Sequence, residues 1–284
     1  MHEVAATHER AFSPKADLPT IGMLWIGEAL SYLEILCIKS FLAHGHKVCL
    51  YVYNDVKGVP AGVEVCDAST ILAGDRIMVH RNSGSPAVHS DAFRYRLLAQ
   101  GDLIWADTDA FCLKPFHAAE GYAFGYLEDR LGIGVLAIPS TSPALQALID
   151  FTDGRAKHVG FDRNLRKMAV DPRFTSLAPE DMPWAATGPM AATYFLQRSG
   201  EITHAAPEHV YYPIDFEERN KLIRPRRREY VKSKIRSDTV SIHFYGRRMR
   251  RRLIKEENGV PRSGSYFSGL LERFQIDPND WPVT

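Results

Sequence analysis

The run Leu103-Ile104-Trp105-Ala106, followed at once by Asp107-Thr108-Asp109, narrows the folds open to this chain more than any other stretch. Four apolar residues without alternation make a strand covered on both faces, the kind found in parallel sheets flanked by helices. A helical pattern over 86–100 leads into it, with Pro86 in the first turn and Gly101 just past the end. The two carboxylates then emerge at the carboxyl end of the strand, where ligands collect in open α/β sheets. Residues i and i+2 of an extended segment project the same way, so both can face one cation. A hard divalent ion held by carboxylates keeps positions open for phosphate oxygens.

The flanking sequence repeats this alternation. Residues 21–27 read as a first strand, and 29–44 as a helix closed by Gly45. Residues 47–53 read as a second strand, and the short apolar runs 63–66 and 77–79 as further ones. Beyond Pro115, strands are expected at 122–126 and 133–138, helices at 142–152 and 190–198, and a short late strand at 240–244. Residues 154–183 are polar and show no period. Strand and helix in turn predict an α/β fold with a mostly parallel central sheet and flanking helices.

With 284 residues, 45% of them hydrophobic, the chain is long enough for one large α/β domain. No stretch approaches the roughly 18 apolar residues that span a bilayer. Residues 1–19 carry charges and no apolar core, which predicts a flexible lead-in and not a secretory signal. Cys37, Cys49, Cys66 and Cys112 lie in apolar segments without metal-ligand spacing, so they read as small core residues of a reduced, cytoplasmic protein. Charge is unevenly spread. Between Lys221 and Arg252 there are thirteen Lys or Arg against Glu229 and Asp238, a local +11 in a chain whose total is +1. Such a stretch attracts phosphate on a nucleotide, a nucleic acid or a membrane surface.

Several residues fit the double aspartate. Asp91 and Arg94 are three apart on the preceding helix and share a face, a spacing equally that of an ordinary surface ion pair. A carboxylate beside a guanidinium can hold sugar hydroxyls bidentately. Trp25 ends the first strand, where it is either core or an aromatic face for a base. His243, in the late strand, is either a satisfied core histidine or a nitrogen ligand, which manganese accepts beside carboxylates better than magnesium does. Arg247, Arg248, Arg250, Arg251 and Arg252 suit a departing diphosphate, or form a solvated face.

Trp25-Ile26-Gly27, the Ser90-Asp91-Ala92-Phe93-Arg94-Tyr95 segment, Asp107-Thr108-Asp109 and Ile242-His243-Phe244 together resemble the Asp-x-Asp sugar transferases of glycosyltransferase family 32, related to the catalytic domain of large glucosylating toxins. The resemblance covers about 21–116 closely and 187–270 more loosely. It implies a GT-A type nucleotide-sugar-binding domain over 20–245; the basic segment at 246–284 is expected to pack on the same domain, and its charge density alone suggests a lid over the nucleotide. The resemblance further implies a donor site of Trp25, Ile26, Gly27, Asp91, Arg94, Tyr95, Asp107, Arg247 and Arg248. Asp107, Asp109 and His243 would hold Mn²⁺, or Mg²⁺ in its place. Asp107, Asp109 and Arg94 would act at the reacting centre, and Thr187-Gly188-Pro189 on the acceptor side.

The activity so implied is metal-dependent transfer of a hexose or N-acetylhexosamine, with retention, from a nucleotide-diphosphate sugar. The donor would carry UDP in preference to GDP, and the acceptor would be a saccharide or a lipid-linked one, as in bacterial surface polysaccharide or lipopolysaccharide synthesis. The basic stretch would then touch the inner membrane face. Two features depart from the family: Leu131-Gly132-Ile133-Gly134 stands where an asparagine is common, and Phe244-Tyr245 follows the histidine where a tryptophan is common. Other readings of the same residues are a haloacid-dehalogenase-like phosphohydrolase using Asp107 and Asp109, and a nucleic-acid-binding protein using 221–252. The phosphohydrolase would place its aspartates behind the first strand, and the chain lacks a nucleic-acid recognition motif.

Overall fold

The computed structural model describes residues 18–155 and 177–284. The expected lead-in up to residue 17 and the middle of the irregular stretch, 156–176, lie outside the described residues.

The first strand, β1 (Thr20–Trp25), has four inner residues buried, as a run without alternation requires. Helix α1 (Tyr32–Ala43) starts at a capping box: the Ser31 side chain accepts a backbone N–H, and Glu34 reaches back to the N–H of Ser31. Strands β2 (Val48–Val52) and β3 (Glu64–Asp67) follow, then α2 (Ala87–Leu98) and β4 (Leu103–Ala106). No strand forms at 77–79. Val79 is exposed and the Met78 N–H is bound by His89 Nδ1, so the apolar run is spent on a loop against α2.

Three strands lie beyond: the short β5 (Ala110–Cys112), then β6 (Ala123–Leu127) and the longer β7 (Arg130–Ala137). Helices α3 (Pro143–Thr152), α4 (Ala191–Ser199), α5 (Glu208–Tyr211) and α6 (Arg228–Lys234) precede β8 (Ser241–His243), and α7 (Gly246–Glu257) and α8 (Tyr266–Arg273) close the chain.

The main sheet runs β3-β2-β1-β4-β7-β6. Its first four strands are parallel, while β7 is antiparallel to β4 and to β6. Alternate residues feed two cores. Ile104 and Ala106 face one with α1, α7 and α8, and Trp105 faces the other with α2, α3 and α4. Leu253, Phe267 and Leu271 share the first core with Ile21 and Leu36, so the basic C-terminal segment is seated on the same body. A lid hinged there would have to draw the fully buried Met249 and Leu253 out of the core. No helix among the described residues is long and apolar enough to cross a membrane.

Candidate active site

Asp107 leaves β4 with its N–H on the Gly134 carbonyl at 2.7 Å, the last rung toward β7. The chain then turns. Ala110 N–H closes back on the Asp107 carbonyl at 2.9 Å, and β5 departs to pair with β8 in a separate two-stranded sheet. The double aspartate is therefore a tight turn between two sheets and not an extended segment. Its carboxylates converge because the chain bends, and not through strand alternation.

The β5–β8 register sets Ala110 opposite His243, which brings the imidazole to the turn. His243 Nε2 lies 3.1 Å from Asp109 Oδ1 and 3.5 Å from Asp107 Oδ2. One ligand atom from each of the three residues falls within 4.8 Å of the others. Two carboxylates and one imidazole make a donor set for a divalent cation. Asp109 also accepts the N–H of Gly246, the first residue of α7, so the positive end of that helix faces the carboxylate. Burial works against charge here and is overcome on both sides. His243, Gly246 and Arg250 hold the Asp109 carboxyl low, and the two aspartates hold the His243 imidazolium well above its ordinary range.

The glycines that replace the expected asparagine explain themselves at this point. A Cβ on Gly134 would meet His243 Nε2 at 2.7 Å and Asp107 Oδ2 at 3.3 Å, and one on Gly132 would meet the Tyr212 ring at 2.4 Å. Strand β7 is pared to backbone so that the histidine and a tyrosine can lie against it.

Asp91 and Arg94 do not form a surface pair; they are 6% and 4% exposed. Arg94 Nη1 donates to the Ile133 carbonyl at 2.6 Å and lies 3.3 Å from Asp107 Oδ1, while Nη2 lies 3.3 Å from Asp91 Oδ1. The Trp105 indole N–H donates to the same Asp107 oxygen at 2.8 Å, and the guanidinium stacks over that ring. Burial pushes the Asp91 carboxyl up to about 6 against the pull of Arg94 and Thr187. Thr187 Oγ1 donates to Asp91 Oδ2 at 2.8 Å, so the turn expected on the acceptor side braces the aspartate expected among donor contacts; Asp91 lines the cavity beside Trp184 and not the one beside Trp25. Tyr95 is fully buried with its hydroxyl on the Thr187 carbonyl. It lines neither cavity and supports that turn, contrary to its expected place among donor contacts.

Two cavities open on this cluster. One, of about 770 Å³, is walled by Trp25, Ile26, Gly27, Ser90, Asp109, Arg247 and Arg250. The other, of about 550 Å³, is walled by Asp91, Thr187, Pro189, Trp184, Tyr212, His243, Tyr245 and Arg248. Ala87, Arg94 and Asp107 belong to both, so the would-be metal cluster stands on the seam between them. The buried indole N–H of Trp25 has no hydrogen-bond partner among the described residues, a donor left open at the edge of the first cavity.

Glu34 and Trp184 escaped the sequence reading. Arg250 reaches over the Trp25 ring and pairs with Glu34, which is fully buried on α1. Burial pushes the Glu34 carboxyl up, against Arg250 and its two bonds from Ser31. The Ser31-x-x-Glu34 spacing was visible as a helix start, but that ordinary role conceals the second one. Trp184, 52% exposed, carries the Arg247 guanidinium over its ring. Arg247 and Arg250 turn into one cavity, Arg248 turns into the other, and Arg252 pairs with Glu256, so much of the basic α7 is engaged and not a free face for nucleic acid.

No family model matches the chain, and no curated protein matches it. Among solved structures it is similar to a protein titled PaToxG glycosyltransferase, at 13% identity over 65% of this chain and 69% of that one, with a TM-score of 0.42. It is also similar to one titled WbbM bifunctional glycosyltransferase, at 9% identity over 82% of this chain and 46% of that one, with a TM-score of 0.36. Likeness this slight carries no weight for fold or chemistry.

Proposed function

We propose that this chain is a metal-dependent glycosyltransferase of the GT-A type. One observation carries the reading: an Asp-Asp-His cluster of metal-ligand chemistry on the seam of two cavities, one walled by Trp25, Arg247 and Arg250 and the other by Trp184, Tyr212 and Tyr245. That arrangement serves group transfer between two bound molecules, because it lets donor and acceptor lie side by side at one point. Asp107, Asp109 and His243 would hold Mn²⁺, which when bound supplies Lewis-acid stabilisation of the leaving diphosphate.

The chain's own residues account for the rest. The Trp25 ring offers a face to the base, and its free N–H a donor. Arg247 and Arg250 supply positive charge to the diphosphate from the first turns of α7. Asp91 and Arg94, locked by Thr187 and the Ile133 carbonyl, present a fixed acceptor and donor to sugar hydroxyls. The acceptor saccharide, free or lipid-linked, would lie against Trp184 and Tyr245. A UDP-linked hexose donor, retention of configuration, a part in surface polysaccharide synthesis and a cytoplasmic place near the inner membrane face rest on the family resemblance.

The test is nucleotide release from UDP- and GDP-sugars, with and without Mn²⁺. Manganese-dependent release that falls on the order of a thousandfold in Asp109→Ala is expected, about 4 kcal/mol of transition-state stabilisation. Release of phosphate from simple phosphomonoesters instead would replace the transferase with a hydrolase.

A further inference from the structure

Parallel pairing of β2 with β3 sets Cys49 beside Glu64 and Tyr51 beside Cys66. Residues i and i+2 of a strand share a face, so both thiols and the carboxylate point to one side of the sheet. Cys49 Sγ lies 3.5 Å from Glu64 Oε2, and one ligand atom from each of Cys49, Glu64 and Cys66 falls within 4.8 Å of the others. The sequence conceals this: the two cysteines are far apart in the chain with no paired spacing, and only the strand register joins them. Cys37 and Cys112 are buried core residues as expected, but Cys49 and Cys66 are half-buried and Glu64 is exposed.

We infer that Cys49, Cys66 and Glu64 form a second metal site, selective for a thiophilic ion such as Zn²⁺, that clips the edge strand β3 to β2. Tetrahedral zinc with bonds of about 2.3 Å to sulfur and 2.0 Å to oxygen has ligand edges of about 3.8 Å between sulfurs and 3.5 Å between sulfur and oxygen. The cluster is already near that size. Among the described residues no lysine, arginine or histidine forms an ion pair with Glu64, so its carboxylate stands beside two thiols with no partner cation from the chain. The exposed Glu64 leaves an entry path, and water can take the fourth position. Neither thiol is poised as a nucleophile, since burial pushes Cys49 up to about 12 and raises Cys66. The site is chemically distinct from the cluster at Asp109: sulfur ligands prefer zinc, and carboxylates with imidazole accept manganese. None of the three residues lines either cavity, so the inference stands apart from the proposed activity.

Its test is a titration of the reduced, metal-stripped full chain with Co²⁺, whose thiolate charge-transfer absorption reports sulfur ligation directly, followed by displacement with Zn²⁺. The band is expected to saturate at one equivalent in the wild type and equally in Asp109→Ala. It should be absent from Cys49→Ser/Cys66→Ser, with the fold of that variant checked by circular dichroism, and Kd should weaken at least tenfold in Glu64→Gln. A wild type without the band, an undiminished band in the double-serine variant, or unchanged affinity in Glu64→Gln would overturn the three-ligand site. So would a Cys49–Cys66 disulfide in protein purified without reductant.

Discussion

The cavity around Trp25 and the cavity around Trp184 share Arg94 and Asp107, yet they are built by different means. The first draws most of its wall from the ends of β1 and β4, the start of α2 and the first turns of α7. Its charge is supplied by arginines that are themselves held, Arg250 by Glu34 and Arg247 by the Ser83 carbonyl. The second is assembled from the β6–β7 turn, the Thr187 turn and the stretch from Tyr212 to Glu217, with aromatic rings as its largest surfaces. Both are mixed in charge: the first sets Arg247 and Arg250 near Glu28 and Asp109, and the second sets Arg130 and Arg248 near Glu128 and Glu217, so they differ mainly in the rings and elements that wall them.

The seam is where the comparison breaks first. Arg94→Met leaves Asp91 and Asp107 without their buried partner, and about 3–5 kcal/mol of stability should be lost in urea unfolding, together with both ligands' binding. If donor binding survives unchanged in a folded Arg94→Met protein, the two cavities do not communicate through it.

Asp91 gives the next effect. Its folded carboxyl titrates near 6, above the ordinary value, so the native state holds a proton that the unfolded chain has released. Stability is then highest below about pH 4 for this group and falls as pH rises to 6, by up to about 3 kcal/mol. Asp109, held low, acts below that window, and His243, held high, acts above it. His89, held down to about 4 by burial, titrates in the same window with the opposite sign, so the check is the difference: from pH 4 to 6 wild-type stability should fall relative to Asp91→Asn by up to about 3 kcal/mol.

Glu34→Gln sharpens the contrast. It keeps a cap on α1 but releases Arg250, so the donor KM should rise about tenfold, about 1.4 kcal/mol, with acceptor KM unmoved. Trp184→Ala should do the reverse, raising acceptor KM a few-fold, about 1 kcal/mol, and donor KM less, because Arg247 loses the ring but keeps the Ser83 carbonyl. Equal changes in both constants from either substitution would erase the distinction between the cavities.

These two walls also differ in how much of them could be read from residues alone. Strands β1 and β4, helix α2 and the Asp107-Thr108-Asp109 motif follow from unbroken apolar runs and helical spacing, which are local signals. The parallel half of the sheet came from them. Strand β5 is three residues long and exists because β8 pairs with it from 130 positions away, so no local pattern marks it. The run at 77–79 has strand composition, but the Met78 N–H goes to His89 on α2 and the run became a loop there. Tyr95 sits in a stretch that resembles a donor motif, but its place on α2 turns it into the core. The seam itself depends on a turn, a register and a glycine strand that meet only in three dimensions.

Glu34 and Arg250 touch across 216 positions of chain, and Asp109 and Gly246 across 137. A polypeptide made from its amino end can assemble β1 to β4 early, but it holds no cation for the diphosphate until α7 has emerged. Any fragment that stops short of residue 246 would keep its double aspartate and stay inert. Under the proposed activity, competence would arrive with the last helices, and a half-made copy would leave activated sugar untouched.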